Sequence, residues 1–211
     1  MITRVEHISD EQLRTIRQTI GEAFVSNELF HNWGNVDERK NDVIKYMSIY
    51  VDYVYQAGEL YANEDLTGFI GLEDSAKKTV MLQIKMLLKM LIRLRFTRLR
   101  SLMAFAGQIR KSNVSYAKQR HYETLLVCIH KAYQGKGLAT ELITFAKKKA
   151  DAAGIPLIFD TDMEKYARMY QYLGCDLYNT VTADNGVTRY SLCYKPRADR
   201  YYVPVKKRAA A

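Results

Sequence analysis

The sequence predicts a single α/β domain, and three observations carry that reading. Its 211 residues suit one domain with room for a substantial core. Segments with helical apolar spacing alternate with short β-rich runs. A glycine-bearing loop, Gln134-Gly135-Lys136-Gly137, falls where one such run gives way to a long helical segment.

Taken in order, Leu13, Ile16, Ile20, Ala23 and Phe24 recur at helical spacing and predict a helix over 11–24. A second helix is expected over 36–54, with Asn35 or Asp37 as its cap. Two short strands, 59–63 and 66–72, flank a hairpin-like turn at Asn63-Glu64-Asp65. The apolar residues of 80–96 then crowd most of a helix, while Lys85, Lys89 and Arg93 repeat every four residues and share one stripe. Two helices, 75–93 and 98–117, fit this stretch. A β-rich run over 122–129 leads through the glycine loop into a helix over 138–152, which Gly154-Ile155-Pro156 ends. A short buried strand over 157–160, a helix over 163–173 closed by Gly174, and a last pair of strands, 175–182 and 187–194, complete the pattern. The domain is expected to span 1–205, with 206–211 a frayed tail.

The net charge of +9 is concentrated: 76–120 holds twelve Lys and Arg and no Asp or Glu. Such a field attracts nucleic acid, an anionic membrane or a polyanionic small ligand. Cys128, Cys175 and Cys193 are too few and too scattered for a disulfide framework or zinc knuckle, and read as buried reduced thiols. His7, His31, His121 and His130 lie far apart without metal-ligand spacing, so no metal is expected. The opening residues hold no apolar run of signal-peptide length. Nor does any stretch approach the roughly 18 apolar residues of a membrane span, so a cytoplasmic protein is expected.

Glycines at a strand-to-helix junction let backbone N–H groups converge on one concavity, and the helix N-terminus adds its positive dipole end. That is a phosphate-binding arrangement, although a plain tight turn would use the same glycines. A Walker loop is excluded, because its Gly-x4-Gly-Lys-Ser/Thr spacing is absent. A dinucleotide fingerprint would need a third Gly or Ala where Thr140 stands, and only Asp160, about twenty residues on, supports it. Gln134-Gly135-Lys136-Gly137-Leu138-Ala139 instead resembles the Gln/Arg-x-x-Gly-x-Gly/Ala signature of the Gcn5-related N-acetyltransferase (GNAT) family, preceded by the strand Leu125-Leu-Val-Cys-Ile129. Further on, the run from Met163 to Cys175 is similar to the family's Asn-x6-Tyr-x3-Gly-Phe motif. Tyr170 and Gly174 match; Met163 and Cys175 depart from it.

The resemblance implies a mixed, mostly antiparallel sheet splayed at its centre and flanked by helices, with 75–120 as a basic two-helix insertion. It implies acetyl-CoA as acyl-donor cosubstrate, its pyrophosphate held at Gln134, Gly135, Lys136, Gly137, Leu138, Ala139 and Thr140, and its pantetheine arm along Val127 and Ile129. It also implies direct transfer to an amine, with Tyr170 protonating the departing thiolate. The base is assigned to Glu123, eleven residues before Gln134, where the histone-modifying branch of the family carries its glutamate. Strand periodicity puts 123, 125, 127 and 129 on one face, and an apolar setting would raise the carboxyl's pKa. Glu123 would otherwise be a strand-end residue in water or paired with Arg120; His121 is the second candidate base. Asp160, Asp162 and Glu164 suit either a cationic acceptor or a solvated helix start.

A small-molecule amine is the expected acceptor. A peptide or protein acceptor and a non-catalytic coenzyme A or anionic-surface module are the alternatives. The insertion is expected to wall the acceptor pocket. Nucleic-acid binding is not expected, since few aromatics accompany the cations and no recognition motif is present; a membrane contact is the less favoured role for the segment.

Overall fold

The computed structural model describes residues 1–57, 59–77, 79–110 and 119–196. Strand β1 (Ile2–Arg4) is followed by helices α1 (Asp10–Phe24) and α2 (Val36–Gln56), then β2 (Leu60–Asn63) and β3 (Gly68–Asp74). Next come α3 (Val80–Arg93), α4 (Phe96–Arg110), β4 (Tyr122–Ile129), α5 (Leu138–Ala153), β5 (Leu157–Thr161) and α6 (Glu164–Tyr172). Strands β6 (Asp176–Thr182) and β7 (Thr188–Tyr194) finish the described chain. The sheet runs β1-β2-β3-β4-β5-β7-β6. Its pairings are antiparallel except for β4 with β5, which is the mixed α/β architecture expected.

Local sequence explains the element boundaries. Ser9 and Gln12 form a capping box at the start of α1. Of the two residues proposed to cap α2, it is Asn35 that does so, its side chain accepting from the amides of Asp37 and Glu38 while Glu38 reaches back. Helix α3 begins five residues later than 75, because Asp74 first closes a turn with the amides of Ala76, at 3.0 Å, and Lys77, at 2.8 Å. Part of the second insertion helix expected over 98–117 lies outside the described residues; α4 starts at Phe96. A 3-10 helix, Glu28–Trp33, was not anticipated, and it buries Phe30 and Trp33.

Two apolar cores sandwich the sheet. One gathers α1, α2, the 3-10 helix and α4 over Phe69, Leu126 and Cys128. The other packs α5 and α6 over Ile70, Leu72, Leu157 and Phe159, with Val127 and Ile129 at its margin. All three cysteines are buried free thiols, as expected. Among the described residues no group of His, Cys, Asp and Glu is arranged to hold a metal ion, and no helix is long and apolar enough to cross a membrane.

The centre of the sheet positions the site. Strand β4 pairs with β5 only at Tyr122, Glu123 and Thr124, opposite Leu157, Ile158 and Phe159. Beyond Thr124 the two strands part, leaving that edge of Leu125–Ile129 without a strand partner. On its other side β4 carries a bulge: Gly71 pairs with Leu126 but the adjacent Leu72 pairs with Thr124, so Leu125 is the extra residue. An inserted residue inverts the alternation. Glu123 therefore does not share a face with Val127 and Ile129. It lies beside its cross-strand neighbour Glu73 on the α2 side, where Tyr53 donates to Glu73 at 2.8 Å.

Candidate active site

The glycine loop lies between β4 and α5. Gly135 and Gly137 adopt φ of +77° and +83°, a left-handed region costly for other residues. A Cβ at either position would meet no atom within 4 Å, so both glycines border open space. Gly137 caps α5 without any side-chain cap. The amides of Leu138, Ala139 and Thr140 thus lie in the first turn, whose donors lack intrahelical acceptors. On β3, a Cβ at Gly68 would fall 2.6 Å from the Leu138 side chain, so its absence lets the start of α5 settle against the sheet.

Against this loop opens a cavity of about 390 Å3, walled by Val127, Ile129, the loop and α6. Gln134, Gly135, Gly137, Leu138, Ala139 and Thr140 all border it. Lys136 does not; its Nζ sits 4.8 Å from the centre of the Tyr133 ring. Gln134 points its amide back to the Ile129 carbonyl, 3.2 Å away, bracing the loop on the strand. Converging amides, a helix N-terminus and an apolar strand edge fit a ligand with a phosphate end and a thin extended arm.

A second cavity, of about 260 Å3, opens toward α1 and α2. Glu123, Asp160, Asp162, Arg189, Tyr46 and Tyr50 give it a polar lining, and Phe24, Leu29 and Met47 an apolar one. Arg189 grips Asp162 with two hydrogen bonds, of 2.6 and 3.0 Å, and approaches Asp160 at 3.6 Å. Three carboxyl groups against one guanidinium leave the lining acidic. Burial, with Asp160 and Glu73 nearby, raises the Glu123 pKa above the usual carboxylate range, while His121 and Arg189 oppose the shift. Burial also pushes the Tyr46 phenol up to about 12. Tyr50 donates to the Leu125 carbonyl at 3.3 Å, anchoring α2 on the bulge. Thr124 Oγ1 is buried in the wall with no hydrogen-bond partner.

Val127, Tyr166 and Tyr170 border both cavities. Tyr170 is 6% exposed and stacks on Phe159 with ring centres 4.6 Å apart. Its hydroxyl has no hydrogen-bond partner among the described residues, and burial raises its pKa, so it stays protonated.

Of the other candidates, His121 is buried with Nδ1 2.7 Å from the Gln119 carbonyl and borders neither cavity. Arg120 binds Asp74, at 2.6 Å, rather than Glu123. The acidic trio divides: Asp160 and Asp162 face the second cavity, whereas exposed Glu164 pairs with Arg168. Arg189, Thr124, Tyr46, Tyr50 and Tyr166 were not foreseen. The spacing of Tyr46 and Tyr50, one helical turn apart, was a legible signal; the role of Arg189 depends on a strand brought in from the far end of the chain. No described residue of 75–110 borders the second cavity, so the described part of the insertion is not its wall.

The fold is that of the GNAT acetyltransferases. Residues 92–175 match the model of the acetyltransferase (GNAT) family, the family recognised in the loop motif. The fold is similar to that of a histone acetyltransferase HPA2 and related acetyltransferase from Corynebacterium glutamicum, with TM-score 0.63 and 13% identity over 95% of this chain and 98% of that one. It is similar to an N-acetyltransferase from Staphylococcus aureus, with TM-score 0.58 and 16% identity over 92% and 100%. It is also similar to arylalkylamine N-acetyltransferase 2 from Aedes aegypti, with TM-score 0.59 and 14% identity over 93% and 99%. No curated protein sequence gives a significant match.

Proposed function

We propose that the protein is a cytoplasmic N-acetyltransferase, a single domain over 1–205, that moves an acetyl group from acetyl-CoA directly to the primary amine of a small molecule. The observation carrying this reading is the meeting of two cavities where β4 and β5 part. One suits a phosphate-bearing thioester and the other is acidic, and Tyr170 borders both.

In this reading the glycine loop takes the pyrophosphate, and the free edge of β4 near Val127 and Ile129 takes the pantetheine arm. Lys136 adds positive field from the rim. The acceptor enters from the α1–α2 side as an ammonium ion drawn by the acidic lining. Glu123 takes its proton, directly or through water. The amine nitrogen then attacks the thioester carbonyl; a C–N bond forms, the C–S bond breaks, and Tyr170 gives its proton to the leaving sulfur. The second proton lost by the nitrogen restores the Tyr170 phenol through water, and Glu123 releases its own to solvent. Each proton transfer contributes roughly 10²- to 10⁴-fold. No enzyme nucleophile is needed, in keeping with three buried thiols. The small acidic cavity, about 260 Å3, favours a small amine over a peptide, and the fold shared with an arylalkylamine N-acetyltransferase supports the same direction.

Calorimetric titration with acetyl-CoA, with NADH and ATP as controls, tests the donor site. Selective binding of acetyl-CoA is expected, and thiol release with a panel of small amines should follow. Preference for NADH would overturn the reading. Binding of acetyl-CoA without transfer to any small amine would leave a coenzyme sensor or a peptide acetyltransferase.

A further inference from the structure

The insertion presents an apolar surface that the rest of the described chain does not cover. Helix α3 turns Leu82, Met86 and Met90 inward, the last two packing near Ile49 of α2. Its other side exposes Val80 (60%), Ile84 (45%), Leu87 (52%), Leu88 (52%) and Leu91 (55%), at positions that fall on one helical face. Ile92, 82% exposed, borders the stripe. A helix apolar on two sides ordinarily has partners on both. The surface continues onto α4, where exposed Phe96 and Met103 flank exposed Arg100 at helical spacing.

Charge narrows what can cover this surface. Among the described residues Lys85, Arg93, Arg95 and Arg100 are exposed and enter no ion pair, and 76–120 contains no acidic residue at all. A second copy of the chain meeting this face would set its cations against the same cations. The segment 197–211 carries five Lys and Arg against one Asp, so it is repelled for the same reason. A surface that accepts both apolar side chains and a fringe of cations is an anionic lipid bilayer. No helix of the described chain could span it, so the contact is with the interface alone.

We infer that α3 and the start of α4 form a docking surface for anionic membranes, with Ile84, Leu87, Leu88 and Leu91 entering the headgroup boundary and Lys85, Arg95 and Arg100 meeting lipid phosphates. The glycine loop and both cavities have no wall residue on this surface, so docking leaves the catalytic apparatus intact.

Flotation of the full chain with vesicles of phosphatidylcholine, alone and mixed with phosphatidylglycerol, tests the inference. Retention is expected on the mixed vesicles only, weakening as salt rises. Leu88→Glu should lower vesicle affinity by about 10-fold or more, since it removes apolar insertion and adds repulsion. Because Leu88 is half exposed, its circular dichroism should match the parent's. Lys85→Glu combined with Arg100→Glu should abolish the preference for phosphatidylglycerol. Absence of retention on either vesicle would overturn the inference, as would equal retention of the Leu88 variant. Dimerisation without lipid that Leu88→Glu abolishes would overturn it in favour of a second copy.

Discussion

Tyr170 and Glu123 owe their proposed roles to surroundings that shift them in useful directions. Tyr170, buried against Phe159, keeps its proton and has a hydroxyl with no described partner. Replacing it by Phe retains the ring and removes only the donor. Turnover should therefore fall by roughly 10²-fold while acetyl-CoA affinity from calorimetry stays near the parent's. Glu123 must be ionised to accept a proton, so activity should rise with pH through its pKa. Burial and the neighbouring carboxylates place that limb above the usual carboxylate range. In Glu123→Gln the limb should disappear; a profile of unchanged shape would give the base role to water or His121. Stability carries the same sign. A carboxyl with its folded pKa raised supports the fold below its unfolded pKa, and that support is lost as pH climbs through the folded value. The Gln variant should thus melt higher than the parent near neutral pH, and this difference should vanish in acid.

At the scale of elements, the glycine loop and the bulge of β4 do different work. The loop supplies left-handed backbone at Gly135 and Gly137 with open space where a side chain would go. Gly137→Glu would carry both a strained φ and an anion into that space, so acetyl-CoA binding should become undetectable by calorimetry while the melting temperature falls only modestly. Retained binding would remove the loop from the donor site. The bulge at Leu125 turns Glu123 toward α2 and leaves Val127 and Ile129 facing α5 and α6. One strand thereby lines both cavities, with Glu123 at the acidic one and Ile129 at the one beside the glycine loop.

Across the whole molecule, α4 acts as a tie. Near its start, Arg98 donates to Asp42 at 3.1 Å and to the Trp33 carbonyl, while Trp33 Nε1 donates back to the Arg98 carbonyl at 3.1 Å. Near its end, Gln108 exchanges two hydrogen bonds of 2.9 Å with Asp184 in the β6–β7 turn. The helix so links the 3-10 helix and α2 at one end to the β6–β7 turn at the other. Arg98→Leu would leave the buried Asp42 carboxylate without its cation, at a cost on the order of 2 kcal/mol. Urea unfolding followed by the fluorescence of Trp33, the sole tryptophan, should show the lower midpoint.

Much of this was local and hence readable along the chain. Capping residues, helical periodicity and the glycines at a strand-to-helix junction act over a few residues, so the sequence alone determined the main helices, the hairpin strands, the glycine loop and the fold class. What the tertiary structure decided depends on register and on distant partners. Whether Glu123 shared a face with Val127 turned on one extra residue opposite Gly71, which strand periodicity cannot reveal. Arg189 reached Asp162 only because β7 inserts between β5 and β6. The start of α3 moved because the side chain of Asp74 preferred a turn. The basic insertion is apolar on two sides: Leu82, Met86 and Met90 pack inward while Ile84, Leu87, Leu88 and Leu91 face outward, a division that depends on where α2 lies.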